Sequence, residues 1–331
     1  MVGGGGGSST KSTIIVSIDT GSTVAAYSDS SYQTLVKTAS EKTTGEYWMT
    51  GLNNGTYYLK ATKGTDEAKL AYTISEYGVY RITMAYRLVP AFTYTGDYEL
   101  VHDDDTPIDT TSASDMQSPW KIRFLESGDL SFTNMYGTNS GIDVFIVGAG
   151  GGGGGASSGA GGGGGGGYTR TERGVAVSTN TVYPITVGLG GAMRVDGGSS
   201  SGFGYTANGG LQGQNGAKAG GNGGSGGGAG GTSAGGAGGS DGSNGSNNGS
   251  ILGGTGQGST TREFAENGAT LYAGGGGGAV GGAGGAGGGA TAGSMAEVQQ
   301  NTGGGGAGGA SNITKAQAGA NGIVIIRNAR S

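Results

Sequence analysis

The densest group of titratable side chains is His102-Asp103-Asp104-Asp105, followed by Asp109 and Asp115. Hard carboxylate oxygens at this density suit Ca²⁺, with Asp103 and Asp105 as the weak metal candidates. The spacing fits no EF-hand loop, however, and like charges this close usually form a solvated turn. Paired carboxylates also serve glycoside hydrolysis, yet nothing resembling a glycosidase groove accompanies these. His102 is the sole histidine and cysteine is absent. A Ser/His/Asp triad would have to use that one residue, and thiolate metal sites and disulfides are excluded. Gly-x-Gly-x-x-Gly matches recur, but none follows a strand and opens a helix with an acid about twenty residues on, as dinucleotide binding requires. No Gly-x-x-x-x-Gly-Lys-Ser/Thr is present. The expectation is a protein that is no enzyme and holds no cofactor.

Recognition is the other chemistry on offer. Tyr168-Thr169-Arg170-Thr171-Glu172-Arg173, then Asn244 with Asn247 and Asn248, then Thr261-Arg262-Glu263-Phe264 with Tyr272, and finally Met295 to Asn301 interrupt long glycine runs. Surfaces that hold carbohydrates or proteins favour aromatic, Arg and amide side chains on loops of a rigid scaffold. Arg262, Phe264 and Tyr272 combine one cation with two aromatics and lead the candidates. Asn244, Asn247, Asn248, Met295, Gln299 and Gln300 follow. Each insertion also has a structural reading as lattice edge or strand. For Tyr168 to Val177 that reading leads: a hairpin with Tyr183 to Val187.

The elements that would carry these residues fall into two regimes. Of the 84 glycines, 69 lie after Val147. The 147 residues before that point carry a net charge of −7, and those after it carry +2. Only 12 % of residues are charged and the net charge is −5, which gives no electrostatic footprint for nucleic acid or an anionic membrane. No apolar run approaches the roughly 18 residues of a membrane helix. The start, Met1 to Gly7, has neither a basic nor an apolar signal region, so synthesis in a cytoplasm without signal-directed export is expected.

From Ser12 to Tyr86 the pattern is β throughout. Ile14 to Ile18, Tyr47 to Met49, Thr56 to Thr62, Ala71 to Ile74 and Tyr80 to Tyr86 are short runs rich in β-branched and aromatic residues, punctuated by turn signals. Asn54-Gly55 between two runs predicts a hairpin. No stretch shows the 3.6-residue apolar period of a helix. About seven strands in this span suit a small β-sandwich.

The glycine half, taken alone, predicts flexible coil, because each glycine loses the most backbone entropy on ordering and buries no side chain. Its runs at 150–155, 161–167, 219–231, 274–289 and 303–309 are, however, discrete and bracketed by apolar strands. Those strands are Val144 to Val147 and Ile323 to Ile326, with Tyr183 to Val187 between. Glycine runs can adopt the extended helix of three residues per turn, whose outward N–H and C=O groups neighbouring helices can satisfy. Each such bond nets about 0.5–1.5 kcal/mol against roughly 1–2 kcal/mol of backbone entropy per residue. A lattice of this kind needs a sheet as clamp, and the three apolar strands are the candidates.

Two stretches resemble known families. Gly51 to Tyr58, Ala61 to Gly64 and Thr73 to Tyr80 are similar to small Ig-like modules in tail and fibre proteins of phages that infect Gram-positive bacteria. Asp143 to Gly150 with polyglycine behind it, Tyr183 to Gly188, Gly197 to Gly204 and Gly322 to Arg327 resemble the glycine-rich domain of phage fibres, over residues of about 120–331. The expected fold class is therefore all-β, in four parts: a flexible Gly-rich tail (1–11), an Ig-like β-sandwich (12–88), a β collar (89–142) and a glycine-rich domain of polyglycine II helices clamped by short β-strands (143–331). The resemblance implies a phage or prophage-derived tail-fibre adhesin whose inter-helix loops bind a bacterial surface glycan or outer protein. It implies further fibre subunits as partners, without nucleic acid or membrane insertion. It also implies a virion protein made in the host cytoplasm and released by lysis. The alternative is a purely structural virion or fibre decoration protein with no receptor. An ice-binding bundle would want regular faces of small residues, which the Arg, Phe, Asn and Gln insertions spoil.

Overall fold

The computed structural model describes residues 11–329 apart from 65, 85, 87, 113, 137–140, 156–159, 217–218, 232–233, 240–241, 248–251, 255–260, 279–280, 294–297 and 310–315. The chain is all-β and forms two units, the first comprising residues up to 91 with 109–118 and 134–137, the second the remainder. All but Lys11 of the Gly-rich start expected as a tail lies outside the described residues.

The first unit holds β1 (Ser12–Ser17), β2 (Thr23–Tyr27), β3 (Leu35–Thr38), β4 (Ser40–Thr43), β5 (Glu46–Leu52), β6 (Gly55–Lys63), β7 (Asp66–Ile74) and β8 (Val79–Thr83). They make two four-stranded sheets, ordered β4-β5-β1-β8 and β3-β2-β6-β7. β1 pairs antiparallel with β5 and parallel with β8. Burial alternates along β6, where Tyr57, Leu59 and Ala61 point inward, as a strand with one wet face requires. They share one core with Ile14, Val16, Val24, Met49 and Leu52.

Asn54-Gly55 does not close a hairpin. β5 and β6 belong to different sheets, because Met49 and Leu52 on one and Tyr57 and Leu59 on the other all face the same core. The turn carries the chain across that core. Asn54 Nδ2 donates to the Ser75 carbonyl at 2.9 Å, and Asn53 N donates to the Tyr57 hydroxyl at 3.1 Å. The true hairpin joins β6 and β7 through Gly64, at φ +60°. β3 and β4 are exposed along their whole length, so neither carries an apolar pattern.

The second unit holds, but for the end residues Ala91 and Asn134, β9 (Ala91–Tyr94), β10 (Tyr98–Val101), β11 (Lys121–Phe124), β12 (Gly128–Asn134), β13 (Ile142–Val147), β14 (Thr169–Val175), β15 (Val182–Ile185), β16 (Ser200–Gly202), β17 (Tyr205–Ala207) and β18 (Ile323–Asn328). Its main sheet runs β10-β11-β18-β13-β14. β13 is buried at every residue and β18 at its first five, and the two pair antiparallel from Ile142↔Asn328 to Val147↔Ile323. Two of the three expected clamp strands thus lie side by side. The third does not join them: β15 pairs with β12 in a separate sheet, β15-β12-β9. Nor does β14 form the expected hairpin with Tyr183 to Val187; it pairs with β13 instead. A strand buried on both faces needs a hydrogen-bonding partner on each edge, and β14 supplies the second edge of β13. The expected collar does not stand apart, because β11 pairs directly with β18.

Between these strands the glycine runs form a lattice with a period of three. Along 161–167, Gly161, Gly164 and Gly167 donate to Gly309, Gly306 and Gly303, each at 2.8 Å. Gly162, Gly165 and Tyr168 donate to Gln214, Leu211 and Asn208 at 3.0, 2.9 and 2.9 Å. Gly163 and Gly166 donate to Gly228 and Ser225 at 2.9 Å. Three faces address three neighbours, as a polyglycine II helix does. A Cβ added at Gly161, Gly164 or Gly167 would stand 2.0, 2.0 or 1.8 Å from the carbonyl oxygens of Gly154, Gly151 and Gly148. Added at Gly162 or Gly165 it would meet Ala219 or Asn222 at 2.3 or 2.2 Å, and at Gly163 or Gly166 it would meet Gly276 or Ala273 at 2.1 or 2.0 Å. This run is therefore enclosed by six segments, three that accept its N–H groups and three that leave no room for a Cβ at any of its seven glycines.

Gly164→Ala is expected to lower the thermal midpoint of the glycine-rich unit by an overpacking cost of about 1–3 kcal/mol. Gly239→Ala, whose new Cβ finds its nearest atoms at 3.4 Å, is expected to leave it almost unmoved. Calorimetry of the two variants checks the contrast, and equal midpoints would refute close packing at Gly164.

Candidate functional site

The strand register lines up three charges on one face of the main sheet. Lys121 on β11 lies opposite Arg327 on β18, which lies opposite Asp143 on β13. Two adjacent cations repel, so each has its own acids. Lys121 Nζ reaches Asp105 Oδ1 at 2.6 Å and Glu263 Oε1 at 2.8 Å. Arg327 donates to Asp143 Oδ2 from Nε at 3.2 Å and from Nη2 at 3.1 Å, and it grips both oxygens of Glu266. Asp143, wholly buried, also accepts from Arg173 Nη1 at 3.1 Å and from Gly174 N at 3.2 Å.

Glu263 and Glu266 come from a loop closed by an Arg262↔Leu271 bridge and by Tyr272 N donating to Thr261 O at 2.9 Å. Phe264 and Ala265 within it sit at φ +51° and +56°, a conformation non-glycine residues keep only where surroundings enforce it. Here the Phe264 ring is trapped. Its centroid lies 6.0 Å from that of Phe145, and the Arg327 guanidinium lies 4.1 Å above it. Tyr272 packs on Phe145 from 5.4 Å, and its hydroxyl donates to Glu263 Oε2 at 3.2 Å.

Burial alone would lower the Lys121 pKa, but the carboxylates of Asp105 and Glu263 more than offset it and raise it above 10.5. The Arg327 pKa is likewise raised, with Glu266 and Asp143 outweighing burial. Burial, then the Glu263 carboxylate, pushes the Tyr272 hydroxyl well above 10.0. In front of this network opens a cavity of about 360 Å³, whose wall includes Asp103, Asp105, Lys121, Glu266, Asn267 and Thr270.

The structure moves the leading sequence candidates off the surface. Phe264 and Tyr272 are each 1 % exposed and belong to the core with Val147, Ile323 and Ile325, so neither is available to a receptor. In a half so poor in apolar residues they are the side chains that cover the sheet. Arg262 is half-buried, with Nη1 donating to the Ala269 carbonyl at 2.8 Å. Asn244 and Asn247 are exposed, but their side-chain oxygens accept from Gly238 N and Gly235 N, both at 2.7 Å. Asn215, Asn222 and Asn321 do the same for Gly155, Ala237 and Gly190, replacing a peptide carbonyl where the lattice ends. Gln299 and Gln300 are exposed. Asn248 and Met295 lie outside the described residues.

Of the acidic cluster, Asp105 is engaged by Lys121, and Asp104 accepts from Thr106 N at 3.1 Å and Oγ1 at 2.6 Å. Asp109 and Asp115 belong to the other unit. Among the described residues no three His, Asp or Glu side chains are grouped to hold a metal ion. Glu266, Asn267 and Thr270 escaped the sequence reading; their signal was the polar run Glu266-Asn267-Gly268 beside the aromatics.

A family described as a glycine-rich domain matches residues 127–329, from the edge of β12 past the end of β18. The chain belongs to this family. The match contains the whole glycine lattice and both central strands of the clamp. A comparison with curated proteins finds no match.

Asp143→Ala is expected to destabilise this glycine-rich domain by about 3–5 kcal/mol, because Arg327 would stay buried beside an empty place; chemical denaturation measures it. A second expectation concerns alkali. Lys121 and Tyr272 hold their protons more tightly folded than unfolded, so their contribution is complete below the ordinary values of 10.5 and 10.0 and is lost as pH rises past them. The thermal midpoint is expected to fall above about pH 10, and Tyr272→Phe to make that fall shallower.

Proposed function

We propose that the chain is a phage or prophage-derived tail-fibre adhesin, a binding protein without chemistry, that attaches to a bacterial surface glycan or outer protein through loops between its polyglycine helices. The observation that carries the reading is the division of labour within the glycine-rich domain. The lattice pairs its main-chain groups with its own neighbours, so side chains able to recognise anything are confined to its edges and connecting loops. One of those loops, at 261–272, borders a preformed cavity. The Ig-like sandwich acts as a spacer, other fibre subunits are partners, and the protein is made in the host cytoplasm and leaves on the virion at lysis.

A second reading, a decoration protein with no receptor, draws on one observation. Phe264, Tyr272, Asn244 and Asn247 all serve the scaffold.

Labelled full-length protein titrated onto intact Gram-positive cells separates the two. The adhesin reading expects saturable binding to a subset of strains. Truncating an anchor at the cavity would then weaken binding by about thirty-fold, the equivalent of roughly 2 kcal/mol. The decoration reading expects no saturable binding to any strain.

A further inference from the structure

We propose that the cavity beside the 261–272 loop takes a neutral polyhydroxyl ligand, the end of a glycan chain, and rejects anions and metal ions. The proposal rests on the receptor-binding reading above and names its ligand class.

A sugar hydroxyl both donates and accepts a hydrogen bond, so it is matched by a wall that mixes fixed donors and fixed acceptors. This wall does so. Carboxylates of Asp103, Asp105 and Glu266 supply acceptors; the Lys121 ammonium, the Asn267 amide and the Thr270 hydroxyl supply donors. Two of the three ammonium N–H groups of Lys121 address Asp105 and Glu263. Asn267 and Thr270 are exposed, and their side chains have no partner among the described residues.

The wall is also set before a ligand arrives. Lys121 is 5 % exposed between its two acids, and Glu266 is held by Arg327 and Arg173. Charged groups already fixed make stronger hydrogen bonds than neutral ones and lose little freedom on binding. The volume, about 360 Å³, stands at the lower end of small-molecule sites, enough for a short saccharide end.

Charge decides against the other classes. Lys121, Arg123, Arg173 and Arg327 face Glu99, Asp103, Asp105, Asp143, Glu263 and Glu266, and every cation is already paired with an acid. A phosphate or an acidic sugar would enter a site with an excess of carboxylates. A bare metal ion finds no grouped set of ligands among the described residues.

The test is saturation-transfer NMR and calorimetric titration of the full-length chain. The probes are neutral hexoses and N-acetylhexosamines with their disaccharides, then glucuronic acid, inorganic phosphate and CaCl₂. Neutral sugars are expected to bind, and the double variant Asn267→Ala, Thr270→Ala to bind them about tenfold less tightly at an unchanged thermal midpoint. Preference for glucuronic acid, phosphate or Ca²⁺ would overturn the proposal, as would neutral-sugar binding that the double variant leaves intact. If no sugar binds while whole cells still do, the ligand class falls and the adhesin reading stands. If cells do not bind either, both fall.

Discussion

Everything in the glycine-rich domain follows from carbonyl oxygens that stand about 2 Å from where a side chain would begin. That distance leaves glycine, with a few small residues such as Ala149, Ala229 and Ala320, to fill the lattice interior, which removes most of the burial of apolar side chains that ordinarily drives folding. What replaces it is main-chain hydrogen bonding to neighbours in three directions. At about 0.5–1.5 kcal/mol a bond, this gain does not exceed the entropy of ordering glycine. The missing contribution comes from the ends. β13 leads straight into the run that starts at Gly148, and Gly322 leads straight into β18. The ladder between these two strands therefore sets the starting positions of the first and last helices together.

The same sheet explains why a chain so poor in charge buries so many of its charged groups in one place. Lys121, Arg327 and Asp143 are cross-strand neighbours; one loop brings Glu263 to Lys121 and Glu266 to Arg327, while Asp105 and β14 supply the other partners. That loop also lays Phe264 and Tyr272 over Phe145, Ile323 and Ile325. Aromatic cover and charge neutralisation are thus delivered together, and neither is complete without the other. Buried ion pairs of this type contribute little net stability but penalise any arrangement that leaves one partner alone.

Much of this was legible in the residues. Val144 to Val147 and Ile323 to Ile326 stand out as apolar runs in a glycine background, and the three-residue helix follows from the absence of Cβ atoms. What could not be read locally was decided by distant partners. Asn54-Gly55 has every feature of a hairpin turn, and only the shared core of β5 and β6 makes it a crossing between sheets. Phe264 and Tyr272 lie between glycine segments with no periodicity to mark them as core. Scarcity of apolar groups gave no sure clue either, because Leu189, Met193 and Val195 of the same half are exposed. Asn244 and Asn247 carry side chains typical of receptor contacts, whereas their amide oxygens finish the lattice. The rim of the cavity, Glu266 to Thr270, was overshadowed by the aromatics beside it.

The period of three has a bearing on how such a domain changes over generations. A run lengthened or shortened by three residues keeps each remaining N–H aimed at the same neighbour, whereas one extra residue turns the rest of the run by about 120° and misdirects every bond beyond it. Indels in multiples of three are therefore the neutral currency of the lattice, while the segments joining the runs are free of that rule. Variation in length and variation in loop sequence become separable, so a lineage can replace its exposed loops wholesale while the glycine framework is inherited intact.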